Sequence, residues 1–258
     1  MDPFNKTQYD GMATEYQSYD DLPMSHLEVQ LIRRALGDCK GLRILDLGGG
    51  SGKHARQAVD AGAELVDVVD ISDDMLQLGK DVEAKAGRQD SPIRWLLADA
   101  SKPLEAQGVG VLPPGQYDVV MANWVFDHAH SLEDLQGMWQ NIAVSLKPGG
   151  KFLGVRVVSS GQPPEPVIEA YGLRLDEIEE IPGGMKCRVV IKTEPPFSFG
   201  ATMMEDSYKM INSVPIKLGF TNFETIPAAD MDVVKENPEF WKRHLEDPLF
   251  AVITADKV

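Results

Sequence analysis

The stretch Ile44-Leu45-Asp46-Leu47-Gly48-Gly49-Gly50-Ser51-Gly52 limits what this chain can fold into more than any other. A short apolar run over 42–47 enters a glycine-dense turn, and a helical segment over 52–62 follows. Glycines at 48, 50 and 52 let the backbone turn tightly and approach a ligand where a side chain would collide. The helix start behind them offers free amides and a partial positive charge, which suit a carboxylate or a phosphate. A dinucleotide fingerprint would place a third small residue at 53, but Lys53 stands there. Asp46, two residues before the first glycine, suits a ligand with an amino group better than a pyrophosphate. A plain strand-to-helix turn is the alternative reading of the same glycines.

Around this turn, helix and strand patterns alternate. Leu27, Leu31, Ala35 and Leu36 fall at helical spacing within 24–38. Strands are expected at 42–47, 64–71, 93–98, 117–122 and 151–158, with Ser72 capping a helix that runs to about Ala86. A helix over 131–146 is stopped by Lys147-Pro148-Gly149-Gly150. Such alternation predicts an α/β fold, a doubly wound and mostly parallel sheet with helices on both faces. From 159 the rhythm changes. Prolines and glycines in 162–166, 182–184 and 195–196 punctuate short segments, 185–193 alternates like a strand, and 197–203 is a partner for it. This predicts a small cap inserted after strand five. A helix over 205–217, a strand at 220–226, a short helix at 236–246 and a strand at 249–255 complete a seven-stranded sheet. The expected organisation is one domain: an N-terminal helical segment over 1–40, a ligand-binding core over 41–158, the cap over 159–203 and closing elements over 204–258.

Composition excludes several function classes. The 258 residues carry 25 Lys and Arg against 40 Asp and Glu, a formal net charge of −15. Nucleic-acid binding draws its affinity from phosphate neutralisation, and anionic membranes repel acidic surfaces, so neither partner is expected. Cys39 and Cys187 alone make neither a disulfide framework nor a four-thiolate metal site, and no metal constellation stands out elsewhere. The first twenty residues alternate charges and tyrosines, unlike a signal peptide, and no run is long and apolar enough to span a bilayer. A cytoplasmic protein acting on a small molecule is expected, as a monomer or homodimer.

Two further acids end strands. Asp70 closes Val68-Val69-Asp70, where a carboxylate can accept both hydroxyls of a ribose through charge-assisted hydrogen bonds of about 1.5–3 kcal/mol each. Helix capping is its alternative role, though Ser72, Asp73 and Asp74 fit that role better. Asp99, in Leu97-Ala98-Asp99-Ala100, is placed to accept from an adenine amino group, with Ile71, Met75 and Ala100 as apolar walls for the base.

With these segments assembled, residues 5–158 resemble a class I S-adenosylmethionine-dependent methyltransferase of the small-molecule branch, in the style of the UbiE and toxoflavin methyltransferases. Asp46 through Gly52, Asp70-Ile71 with Met75, Asp99-Ala100, Tyr117-Asp118-Val119-Val120 and Leu146-Lys147-Pro148-Gly149-Gly150 carry the resemblance. It implies that Gly48 and Gly50 hold the methionine moiety, Asp70 the ribose, and Asp99-Ala100 the adenine, with S-adenosylhomocysteine as product. It also implies that Tyr9-Asp10, Ala13 and Tyr16 fold over the cofactor, and that the main chain from Asn123 lines the methyl-donor centre. Tyrosines offer an apolar face and a hydroxyl together, although Tyr9, Tyr16 and Tyr19 also read as a packing stripe.

In Asn123-Trp124-Val125-Phe126-Asp127-His128, His128 is the candidate general base, with a packing role as its alternative. The Asn-Pro-Pro-aromatic tetrapeptide of base and glutamine methyltransferases is not present here. Tyr19, Trp124, Phe126, Phe197 and Phe199 are candidate walls of an acceptor pocket, and Met203 and Met204 serve equally as walls or core. Methyl transfer to O, N, C or S is the leading reading. A methyltransferase-like protein that binds the cofactor without methylating, and an NAD-dependent dehydrogenase, are the others.

Overall fold

The computed structural model describes residues 8–158, 167–168 and 171–258. The Pro-rich 162–166 stretch and the first seven residues lie outside the described residues. Seven strands form one sheet: β1 (Arg43–Leu47), β2 (Leu65–Asp70), β3 (Ile93–Leu97), β4 (Tyr117–Met121), β5 (Leu146–Val157), and two later strands introduced below. β1 pairs in parallel with both β2 and β4, β2 with β3, and β4 with β5. Parallel neighbours need crossovers, supplied by α3 (Lys53–Asp60), α4 (Asp73–Lys85) and α5 (Leu132–Ser145). The Ser72 hydroxyl accepts from the Met75 amide at 3.3 Å, and Ser131 accepts from Asp134 at 3.1 Å, so each of these two helices starts on a side-chain cap.

α1 (Ala13–Tyr16) and a tight turn over Gln17–Asp21 precede α2 (Pro23–Leu36), which buries Met24, Leu27, Leu31, Ile32 and Ala35 as one apolar face. Each of the Leu, Ile and Met side chains removed from water contributes about 1.5–3 kcal/mol. The helix ends where Gly37 takes φ +63.

After β5 the chain builds a second sheet of four strands, β6 (Val167–Ile168), β7 (Leu173–Ile181), β8 (Gly184–Ile191) and β9 (Phe197–Met204), each antiparallel to the next. Two short helices follow, α6 (Glu205–Tyr208) and α7 (Ser213–Lys217), then β10 (Phe220–Thr225), α8 (Asp232–Glu236), α9 (Pro238–Glu246) and β11 (Phe250–Lys257). β11 runs antiparallel between β5 and β10, giving the order β10-β11-β5-β4-β1-β2-β3. The seven-stranded, mostly parallel sheet expected from sequence is therefore present. No described helix is long and apolar enough to cross a membrane.

Three local features differ from expectation. The single helix over 205–217 is two, because Met210 and Asn212 adopt φ +55 and +56, and the Asp206 carboxylate accepts the Ser213 and Val214 amides to start the second. Lys147-Pro148-Gly149-Gly150 ends α5 but joins β5 as a bulge, since Tyr117 pairs with Leu146 and Val119 with Lys151. β7 is an additional strand. Its acidic outer positions, and a pairing irregularity between Asp176 and Glu179 where Glu177 has φ +53, disguise it in the sequence.

Candidate active site

β1 and β4 are sheet neighbours although β2 and β3 intervene in the chain, so the winding reverses between them. Ligands of open α/β sheets bind beyond the carboxyl ends of strands at such a reversal. A cleft opens there. Its floor is the glycine turn after β1. Gly48 has φ +71, and a Cβ on it would stand 2.6 Å from a Val125 methyl, so both conformation and space require glycine.

Three carboxylates mark three strand ends. Asp46, 1% exposed, has neither oxygen met by a donor in hydrogen-bonding geometry, and burial lifts its pKa to about 6. Asp70, at the end of β2, accepts the Gly50 amide at 2.8 Å and the Ser72 amide at 2.9 Å. Burial raises its pKa against those two bonds. Asp99, just past β3, accepts from both the amide and the hydroxyl of Ser101, at 2.8 and 2.7 Å. Ile71, Met75 and Ala100 line the cleft between Asp70 and Asp99, as does Met138 from α5. Asn123 also lines it, with its carbonyl oxygen accepting the Val155 amide at 3.2 Å. Gly52 is not brought to the cleft wall: it takes φ +74 at the start of α3, and a Cβ on it would stand 2.5 Å from the Trp95 ring.

The N-terminal segment crosses the cleft and is tied on both sides. The Gln8 amide donates to the Gly200 carbonyl at 2.9 Å and accepts the Gly200 amide at 2.7 Å, an extra rung beside β9. On the other side, the Ser72 hydroxyl donates to Asp10 at 2.6 Å and the Gly11 amide donates to Asp74 at 2.7 Å. Tyr9 and Tyr16, in edge-on contact with centroids 5.8 Å apart, face the cleft between these ties.

A second chamber adjoins the first and shares Tyr9, Tyr16, Tyr19, Trp124 and His128 with it. Leu173, Leu175, Val189, Ile191, Ala201 and Met203, all from the four-stranded sheet, wall its far side. Tyr9 Oη and His128 Nε2 lie 3.0 Å apart and share one proton at the junction of the two chambers. Burial, helped by His130, lowers the His128 pKa to about 4, so its ring is neutral at pH 7. Of the aromatic residues predicted for an acceptor pocket, Tyr19, Trp124 and Phe199 line this chamber. Phe126 does not. It is fully buried and stacks on Trp139 at 4.8 Å, in the core beneath β4 and β5. Phe197 sits behind the wall, 5.9 Å from Tyr16 and 6.4 Å from Phe199 between ring centroids. Met203 lines the chamber, whereas Met204 packs into the core.

The sequence reading missed a polar cluster in the wall of the cleft. Glu28, on the apolar face of α2, accepts from the Tyr19 hydroxyl at 2.7 Å and the Trp124 indole at 2.9 Å, and contacts His54 Nε2 at 2.7 Å. Burial acts to raise the Glu28 pKa, but the His54 bond and charge, with Lys53 and Tyr19, outweigh it and hold Glu28 ionised. Glu28 in turn lifts the His54 pKa against burial. The one trace in the sequence is an acid at 28 amid the buried positions 24, 27, 31 and 32.

Residues 45–152 match the family described as methyltransferase domain. Over that stretch the chain is similar to a methyltransferase domain. A squalestatin tetraketide synthase of Cochliobolus lunatus is 30% identical over 128 residues, covering 48% of this chain and 5% of that protein. A phosphoethanolamine N-methyltransferase of Caenorhabditis elegans is 29% identical over 160 residues, covering 59% of this chain and 33% of that protein. The chain thus spans a third or less of the length of these curated relatives. Among solved structures, the CcbJ methyltransferase of Streptomyces caelestis superposes with a TM-score of 0.62 at 16% identity, over the whole of both chains. The matched stretch contains the glycine turn and all three strand-end carboxylates, whereas the four-stranded sheet lies beyond the family match.

Proposed function

We propose that this chain transfers the methyl group of S-adenosylmethionine to a small molecule held in the apolar chamber, leaving S-adenosylhomocysteine. The observation that carries the reading is the pairing of two chambers across shared aromatic walls, one rimmed by three strand-end carboxylates and one apolar. The residues fit the cofactor. Asp46 has two buried oxygens without donors, suited to an ammonium group, and the glycine cradle leaves room for a methionine moiety that a Cβ would close. Asp70, already held by two amides, presents a fixed carboxylate for a ribose, and Asp99 with Ala100, Ile71 and Met75 forms an adenine site.

Bound there, S-adenosylmethionine supplies an electrophilic methyl on a sulfonium that leaves without assistance. The protein's part is alignment and exclusion of water, which together contribute about 7–11 kcal/mol in well-oriented reactions. Tyr9, Tyr16 and Tyr19 cover the junction, and the Tyr9–His128 pair stands where the two ligands meet. A pKa of about 4 and a ring nitrogen engaged by Tyr9 make His128 an orienting group more than a base. In this reading residues 1–40 cover the cofactor, 41–158 bind it, 159–203 cap the acceptor and 204–258 close the sheet, in a cytoplasmic monomer or homodimer with no nucleic-acid partner.

Calorimetric titration of the purified chain with S-adenosylmethionine, with NAD, and with the Asp70→Ala variant tests it. Micromolar binding of the first, weakened at least tenfold by the substitution, is expected. Binding of NAD alone would overturn the reading. Cofactor binding with no methyl transfer to any acceptor would favour a non-methylating role.

A further inference from the structure

The second chamber is lined by one buried carboxylate that no side chain engages in hydrogen-bonding geometry. Asp127, at the end of the turn Val125–Asp127, lines the chamber and is 5% exposed. Neither of its carboxylate oxygens has a hydrogen-bond partner. Arg156 is close enough to feel its charge but makes no ion pair with it. The Arg156 Nη1 donates to Asn212 at 2.9 Å, and the guanidinium lies 5.9 and 5.8 Å from the Phe126 and Trp139 ring centroids. Four other polar side chains of the chamber are engaged: Tyr9 pairs with His128, while Tyr19 and Trp124 both reach Glu28. A buried carboxylate without a donor costs about 1–3 kcal/mol or more, and folds retain such groups where a ligand completes them. Burial lifts the Asp127 pKa to about 7, outweighing the Val157 amide and the Arg156 charge, which act to lower it.

We infer that Asp127 anchors the methyl acceptor, which is a mostly apolar molecule bearing a single N–H or O–H donor directed at this carboxylate. The inference rests on the two-chamber reading above and specifies what the second chamber takes. The hydrocarbon lining from β7, β8 and β9 sets the body of the ligand, and the lone acceptor sets its orientation. An acceptor carrying a carboxylate near this position is repelled, because Asp127 and the ionised Glu28 stand on neighbouring walls. An ammonium forms a charge-assisted bond to Asp127 and a hydroxyl forms a neutral or half-charged one, so the shared requirement is a donor hydrogen.

The test uses four probes of one skeleton: phenylpropylamine, phenylpropanol, phenylpropionate and propylbenzene. Their affinities are measured by ligand-observed NMR, with and without saturating S-adenosylhomocysteine. The amine and the alcohol are expected to bind at least tenfold more tightly than the hydrocarbon and the carboxylate, a gap of about 1.4 kcal/mol. Asp127→Leu should erase that gap and tighten propylbenzene, while Asp127→Asn should weaken the amine tenfold relative to the alcohol. If the leucine variant does not fold by circular dichroism, the asparagine arm decides. Equal affinities in the native chain, a preference that survives at Asp127→Leu, an amine-to-alcohol ratio unmoved by Asp127→Asn, or no binding at millimolar concentration would each overturn the assignment. Calorimetry with S-adenosylhomocysteine reads the parent proposal separately. Product binding without the donor preference sinks only Asp127, and a donor preference without product binding sinks only the cofactor site.

Discussion

Glu28 Oε1 and His54 Nε2 lie 2.7 Å apart in the wall of the cleft, 1% and 8% exposed. The same carboxylate fixes the Tyr19 hydroxyl and the Trp124 indole, so one charge pair orients an aromatic residue from each of two segments that border both chambers. Trp124 itself has φ +62, a conformation uncommon outside glycine, and its bond to Glu28 helps hold it there.

Truncating this cluster is costly. Glu28→Ala leaves His54, Tyr19 and Trp124 without their acceptor, and is expected to lower stability by about 3–5 kcal/mol in urea denaturation. The loss depends on pH with a definite sign. The lowered Glu28 pKa contributes stability above its unfolded value that disappears in acid, and the raised His54 pKa contributes stability that disappears as pH rises through its folded value. The difference between native and variant chains should therefore peak at about pH 5–6 and shrink above neutrality. A difference that grows steadily to pH 9 would show the pair is not ionised.

Asp127 makes the opposite prediction. Its pKa is raised by burial to about 7, so the folded chain holds a proton that the unfolded chain has already released near pH 4. Stability falls as pH climbs between those values. Asp127→Asn removes the penalty and should raise the melting temperature at pH 8, by about 1–3 kcal/mol in free energy, with little gain at pH 4. An equal gain at both pH values would contradict the ionisation argument.

Gly48→Ala places a methyl 2.6 Å from Val125 at a φ of +71. Tighter packing and a left-handed alanine each cost about 1–2 kcal/mol, and the turn shifts where the methionine moiety would lie. The expected result is a folded chain whose S-adenosylhomocysteine affinity drops tenfold or more. Adding Val125→Ala should recover part of the stability but not the backbone strain, which circular dichroism melts will separate.

The N-terminal strap depends on Gln8, whose side chain forms two bonds with the backbone of Gly200. Gln8→Ala removes both, about 1 kcal/mol each. Hydrogen exchange across 9–22 should speed up about tenfold while exchange in β1 and β4 stays unchanged. Protection left intact at 9–22 would mean that the Asp10 and Asp74 ties suffice alone.

The sheet is legible in the sequence because each parallel strand is a short apolar run and each crossover helix has a cap, so Ser72, Ser131 and the glycine turn mark boundaries directly. Asp46, Asp70 and Asp99 are found the same way, since a strand that ends in an acid brings it to the edge where the cleft opens. Long-range partners leave no such mark. Nothing at Glu28 announces His54, 26 residues on, or Trp124, 96 residues on. Phe126 illustrates the converse. Flanked by Trp124 and His128, it resembles a pocket residue, but the tight turn over Val125–Asp127 rotates it inward onto Trp139. That same rotation turns Asp127 toward the chamber, a consequence of backbone geometry that residue type alone does not reveal.

The apolar walls contributed by β7, β8 and β9 come from one contiguous length of chain inserted between β5 and β10, while the glycine turn and its three carboxylates come from the chain before β5. The two sets are thus encoded in separate lengths of chain, joined across the cleft by the Gln8–Gly200 bonds and the His128–Thr202 bridge. The fold therefore divides its evolutionary freedom. On the proposed function, a lineage could exchange one acceptor for another by rewriting a pair of hairpins while the residues of the donor half stay as they are.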